Sequence, residues 1–164
     1  MLSAILLTFL YIFLTYIFVF KLLPYFLYPN YFRKAKTEDY SQLKILALSL
    51  KGQDRLTTAK NVYDYMTKTY SGCGKVYKFK NLATLFRVSD FNTDKILNNH
   101  QFLFCHSQNR LLKSILVNTG MFKGDDIQIK IEWLKHIYIH QFIMLNLNDS
   151  EIKVDPFYHV IEIS

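Results

Sequence analysis

Three side chains in the C-terminal half of the chain have the types and order that suit nucleophilic chemistry: Cys105, His140 and Asp155. The thiolate is the reactive form of cysteine, an imidazole can take its proton and return it, and a carboxylate on the second ring nitrogen fixes the imidazole's tautomer and orientation. Cys105 stands between the apolar Phe102-Leu103-Phe104 and the polar His106-Ser107-Gln108-Asn109-Arg110, which lead into Leu111, Leu112, Ile115 and Leu116. A polar head with an apolar tail predicts an amphipathic helix that stops at Asn118-Thr119-Gly120, with the cysteine at its N-terminal end. There the outward N–H groups and the helix dipole favour an anion, be it a thiolate or the oxyanion of a tetrahedral intermediate. Gln101 is the nearest side chain that could add a donor to that oxyanion site. A cysteine by itself more often belongs to a core than to a site; it is the ordered set with His140 and Asp155 that points to chemistry.

His140 and Asp155 need strands to meet. Ile127, Ile129, Ile131 and Trp133 alternate with Gln128, Lys130 and Glu132, the period of a half-buried strand. The run from Ile137 to Leu147 has the β-branched, aromatic and aliphatic content of a strand covered on both faces. Asn148-Asp149-Ser150 supplies a turn, and Ile152 and Val154 form a third strand ending at Asp155-Pro156. A two-residue turn at 148–149 sets Phe142 opposite Asp155 and His140 diagonally beside it on the same face, whereas a three-residue loop would put His140 and Asp155 on opposite faces. With the shared face, Asp155 accepts from one nitrogen of His140 and the other faces the Cys105 thiol. His136 and His140 are four residues apart in strand-like sequence, about 13 Å, too far to ligate one metal ion. No metal site and no cofactor is expected. His100 and His106 flank Cys105 and read as exposed polar positions, Trp133 as core or pocket wall, and Cys73 as a turn residue. A single Cys73–Cys105 bridge is open, and it would disable the thiol.

The rest of the chain divides by composition. Residues 1–20 carry no charge, Lys21 is the first, and the run is long enough for a helix crossing the hydrocarbon core, which needs about 20 apolar residues. Residues 1–24, ending at Pro24, are therefore expected to be a transmembrane anchor in contact with the lipid bilayer, in a single-pass membrane protein. The aromatic and basic stretch 25–36, with Arg33, Lys34 and Lys36, reads as a juxtamembrane linker, and its charges favour the cytoplasmic side for the domain beyond it. A folded domain is expected over 37–164. It begins with a helix capped at Thr37 and carrying Leu43, Ile45, Leu46, Leu48 and Leu50, then a second helix from Thr57 or Thr58 to Tyr70. Val76, Tyr77 and Phe79 suggest a short strand, and Lys95, Ile96 and Leu97 a short helix. The fold class expected is α+β, helices packed on an antiparallel sheet.

In this order the residues resemble the transglutaminase-like cysteine enzyme superfamily. Cys105 at a helix start, the strand His140-Gln141-Phe142, and Ile152-Lys153-Val154-Asp155-Pro156 are similar to its pattern of cysteine, histidine followed by an aromatic strand, and aspartate-proline. Leu50-Lys51-Gly52 and Thr58-Ala59-Lys60-Asn61-Val62-Tyr63-Asp64-Tyr65-Met66 resemble the helical lead-in, so the likeness covers about residues 37–160. It implies a papain-like fold and acyl transfer through a thioester. Amide bonds would be hydrolysed, or glutamine side chains cross-linked or deamidated, in a protein or peptide substrate. Cys105 would be the nucleophile, His140 the general base and acid, and Asp155 the orienting carboxylate. The chain departs from the pattern in having Leu103-Phe104 where a glycine usually precedes the cysteine, and Phe142 and Ile152 where tryptophans are common. A catalytically silent relative, serving as a binding or scaffolding module at the membrane, is the alternative the same residues allow.

Composition bounds these readings. A chain of 164 residues has room for one compact domain, and 51% hydrophobic residues with 16% aromatics is more than such a domain usually carries. The net charge of +7 would suit an anionic partner, but its lysines are scattered and no nucleic-acid-binding motif accompanies them, so no nucleic acid is expected. Two cysteines are too few for a disulfide framework or a four-thiolate zinc site.

Overall fold

The computed structural model describes residues 2–23, 41–75, 78, 96–97, 102–134, 138–147 and 150–163. It is an α+β protein: helices α1 (Leu2–Ile17), α2 (Ser41–Leu50), α3 (Arg55–Thr69) and α4 (Cys105–Asn118), then strands β1 (Ile127–Leu134), β2 (Tyr138–Asn146), β3 (Glu151–Asp155) and β4 (Val160–Ile163). The strands form one antiparallel sheet in the order β1-β2-β3-β4.

The anchor expected over residues 1–24 is corrected. No helix among the described residues is long and apolar enough to cross a membrane, so a transmembrane anchor in a single-pass membrane protein is not supported. The α-helix stops after 16 residues at Ile17, where a π-helical turn, Phe18–Leu22, takes over and brings in Lys21. At 1.5 Å per residue the α-helical part reaches about 24 Å, short of a hydrocarbon core of about 30 Å. An uncharged sequence run and an unbroken apolar helix are different things, and only the first is legible from composition.

The core is built around α4. α2, α3 and β2 all pack against it. Leu111, Leu112, Ile115 and Leu116 of α4 are fully buried, together with Leu43 and Ala47 of α2, Val62 and Met66 of α3, and Ile143, Leu145, Ile152 and Val154 of the sheet. Each such aliphatic side chain contributes about 1.5–3 kcal/mol relative to exposure. The connection between α2 and α3 is fastened by short-range bonds that its sequence dictates. Asp54 caps α3 by accepting from the Thr57 N–H at 2.7 Å, and Asn61 Nδ2 donates to the last carbonyl of α2, Leu50, at 3.2 Å. The helix therefore starts two or three residues before the expected Thr57 or Thr58, because Asp54 acts as a cap and not only as a turn residue.

The sheet has the expected register. Ile143 faces Val154 and Asn146 faces Glu151, and the Leu147 N–H donates to the Ser150 carbonyl at 2.9 Å, closing the hairpin across positions 148–149. Continued by one pair, this register sets Asp155 across from Phe142. β4 adds a strand to the three expected. It pairs with β3 from Asp155↔Val160 to Ile152↔Ile163, after a turn at 156–159 that closes with His159 in the left-handed region at φ 59°. The short strand expected at Val76–Phe79, the Thr37 cap, and the caps of the short helix near Lys95 lie outside the described residues; Ile96 and Leu97 are helical.

Candidate active site

Cys105 is the first residue of α4 and comes directly after Phe104, whose backbone is extended and whose side chain makes no capping bond. First-turn N–H groups of a helix point out of its end instead of at a carbonyl of a preceding turn, so the thiol stands beside the positive end of the helix dipole. The sequence forms this start for two reasons. The extended aromatic lead-in ends where polar helix-compatible residues begin, and the Gln108 N–H closes the first helical bond to the Phe104 carbonyl at 3.0 Å.

His140 and Asp155 meet on the sheet face that the hairpin register predicts. His140 Nε2 lies 2.6 Å from Asp155 Oδ2, and both residues are buried, at 2% exposure each. The second carboxylate oxygen, Oδ1, accepts from the Tyr158 N–H at 3.2 Å, so the turn after β3 holds the carboxylate as well. Nε2 is thereby occupied, and Nδ1 is the ring nitrogen left for the thiol, with which His140 also shares a hydrogen bond. Burial alone would pull the imidazole's pKa down. The bond to Asp155, the bond to Cys105 and the charges of both outweigh it, and His140 is pushed up to about 9. A thiol hydrogen-bonded to an imidazole has a base at hand to take its proton.

The imidazole is held by rings. Tyr158 meets it edge-on at 4.6 Å between centroids, Phe157 lies at 5.8 Å, and Phe142 stacks at 6.4 Å. Phe157 also touches Phe102, which packs on Phe104 at 4.8 Å. The aromatic lead-in to the cysteine and the turn after the aspartate are therefore in contact. Cys105 itself is 6% exposed.

Several expectations need adjustment. His106 is buried at 2%, not an exposed polar position, and its Nε2 is 3.0 Å from Ser107 Oγ. Both cysteines are free thiols, so the Cys73–Cys105 bridge is not formed; Cys73 opens a short 3-10 turn, Cys73–Lys75. Gln101, the oxyanion candidate, and His100 and His136 lie outside the described residues, and Trp133 is placed on β1 opposite Ile139. Among the described residues no three His, Cys, Asp or Glu side chains form a group that could hold a metal ion.

Three contributors escape sequence reasoning. Phe157 and Tyr158 come one and two residues after the Asp155-Pro156 stop, and their aromatic content is the available signal. Gln108, fully buried, lies three residues after Cys105, on the same side of the helix, and donates through Nε2 to the carbonyls of Leu103 at 3.0 Å and Ser71 at 3.3 Å. Nothing in its spacing distinguishes it from a surface residue.

A thiol at a helix start, an imidazole raised by two partners and a carboxylate locked to that imidazole can carry nucleophilic attack and proton transfer. No protein-family model, curated protein or solved structure matches the chain, so the chemistry available to it is read from these side chains themselves.

Proposed function

We propose that this protein is a transglutaminase-like thiol enzyme, a peptidase or amidase or a glutamine acyltransferase, that works through Cys105, His140 and Asp155. The observation that carries the reading is the hydrogen-bonded series from Cys105 through His140 to Asp155, assembled from a helix start and two strands. In the first half-reaction the Cys105 proton passes to His140 Nδ1 and the sulfur attacks an amide carbonyl. The oxyanion forms at the N-terminal end of α4. The C–N bond breaks as His140 returns its proton to the departing amine or ammonia, leaving a thioester on Cys105. In the second half-reaction His140 takes a proton from water, or from an amine, that attacks the thioester. The products are an acid or a new amide and the restored thiol. Asp155 keeps its bond to Nε2 throughout, stabilising the imidazolium in each half.

The test is direct. The full chain and its Cys105→Ala variant are incubated with glutamine-containing peptides, with and without a primary amine, and products and protein are weighed by mass spectrometry. Deamidated, cleaved or amine-linked peptide and an acyl adduct on Cys105, all absent in Cys105→Ala, are the expected result. One observation favours a second reading, a catalytically silent relative that serves as a binding module: Cys105 is only 6% exposed. That reading predicts no adduct and no product with any peptide.

A further inference from the structure

The three reactive side chains sit on two limbs that are far apart in sequence, and a short span from a third region touches both. On the cysteine limb, Ser71 forms a parallel bridge with Phe102, and its carbonyl accepts from the Leu103 N–H at 3.2 Å. Gln108, one turn into α4, reaches back and donates to that same Ser71 carbonyl and to the Leu103 carbonyl. On the aspartate limb, the Cys73 N–H donates to the Phe157 carbonyl at 3.0 Å. Gly72, between these attachments, is buried against the turn after β3. A Cβ there would fall onto the Phe157 carbonyl oxygen and lie 2.9 Å from Phe157 Cα, both of them backbone atoms that cannot give way as a side-chain end would.

We propose that Gln108 and Gly72 are positioning residues, which set the separation of the Cys105 thiol from the His140–Asp155 pair through the span Ser71–Cys73. Its importance for rate rests on the thiol-enzyme reading. Three residues of extended chain cover at most about 10 Å, so the span acts as a fixed-length tie and not as a slack connection. One end is locked by an amide that satisfies two carbonyls at once, and the other by a glycine that allows backbone to meet backbone. Phe157 passes the constraint on: its carbonyl takes the tie, its ring packs against the His140 ring, and its neighbour Tyr158 holds Asp155. Gln108→Met keeps the length and volume of the side chain but cannot donate. Gly72→Ala forces the Phe157 turn outward from the other end of the tie.

The experiment titrates the imidazole of His140 by NMR against pH in the full chain, assigned with His140→Ala, for the wild type, Gln108→Met and Gly72→Ala. Thermal unfolding and the rate of Cys105 alkylation are measured on the same samples. In the wild type the His140 midpoint is expected near about 9. In both variants it should fall by about one pH unit or more, because the bond to Cys105 lengthens, with alkylation slowed roughly tenfold. A residue that only stabilised the fold would lower the unfolding temperature and leave that midpoint in place, so lost stability with an unmoved midpoint overturns the proposal. An unmoved midpoint with unchanged alkylation overturns it equally. Should Gly72→Ala fail to fold, Gln108→Met, which preserves core volume, carries the test. The two readings fail separately: a wild-type thiol that is not activated refutes the enzyme, whereas the His140 midpoint still reports on the tie.

Discussion

The two halves of α4 are equally buried and chemically opposite. Its C-terminal half inserts Leu111, Leu112, Ile115 and Leu116 into the core at 0% exposure; its N-terminal half buries Cys105, His106, Gln108 and Asn109 at 6% or less. The apolar half gains from burial in proportion to area removed from water. The polar half gains only where partners replace water, and it is incompletely partnered: Asn109 Nδ2 and Oδ1 and Gln108 Oε1 are buried with no hydrogen-bond partner among the described residues. One helix thus holds the fold at one end and keeps polar groups dry at the other. Stability and chemistry are separable along its length.

The comparison can be broken first at the apolar end. Leu112→Ala should lower unfolding free energy by about 2–5 kcal/mol, read as a lower urea midpoint. On β2, beside the polar end of the helix, His140→Ala should act on chemistry. Turnover of any amide substrate is expected to fall roughly 10²–10⁴-fold, the usual contribution of a general acid–base group.

The pH dependence sharpens the contrast. His140 is about 9 in the folded protein against an ordinary value near 6.5. Between these values the folded state binds the extra proton, so stability falls as pH rises. The contribution of His140 is complete below pH about 6.5 and gone above about 9, with a slope of at most about 1.4 kcal/mol per pH unit. Urea titrations from pH 6 to 10 should show this loss in the wild type and a reduced loss in Asp155→Asn, whose amide removes the carboxylate charge. The smallest effect is at Asn109. Asn109→Leu replaces two unpartnered polar atoms by an apolar group of similar size and is expected to raise stability by about 1 kcal/mol in thermal or urea unfolding.

Much of the site is legible because strand periodicity and turn chemistry are local. Alternation along β1, the apolar run of β2 and the turn signal Asn148-Asp149-Ser150 place the hairpin but leave its loop length open; of the registers they allow, the one given by a two-residue turn, in which His140 and Asp155 share a face, is observed. The helix start at Cys105 is equally readable from the switch between aromatic and polar residues. What cannot be read depends on contacts across the chain. The bond from Gln108 to Ser71 spans 37 positions, and no pattern near either residue announces it. β4 escapes because it has four residues and begins just after a left-handed His159, where neither length nor period gives a strand signal. His106 misleads for a related reason: a polar residue at a helix start is usually solvated, but here packing encloses nearly the whole of α4. At the N-terminus an uncharged composition carries the expectation of a span, and the change from α- to π-helical geometry at Phe18 removes it.

The central claim is that His140 activates Cys105, and the molecule contains its own reference thiol. Alkylation by iodoacetamide at pH 7, resolved by mass spectrometry of the two cysteine peptides, gives the rate at Cys105 relative to Cys73, which is the more exposed of the two free thiols. Activation predicts that Cys105 reacts about tenfold faster or more despite its burial, and that the order reverses in His140→Ala. A wild-type Cys105 that reacts no faster than Cys73 contradicts the account.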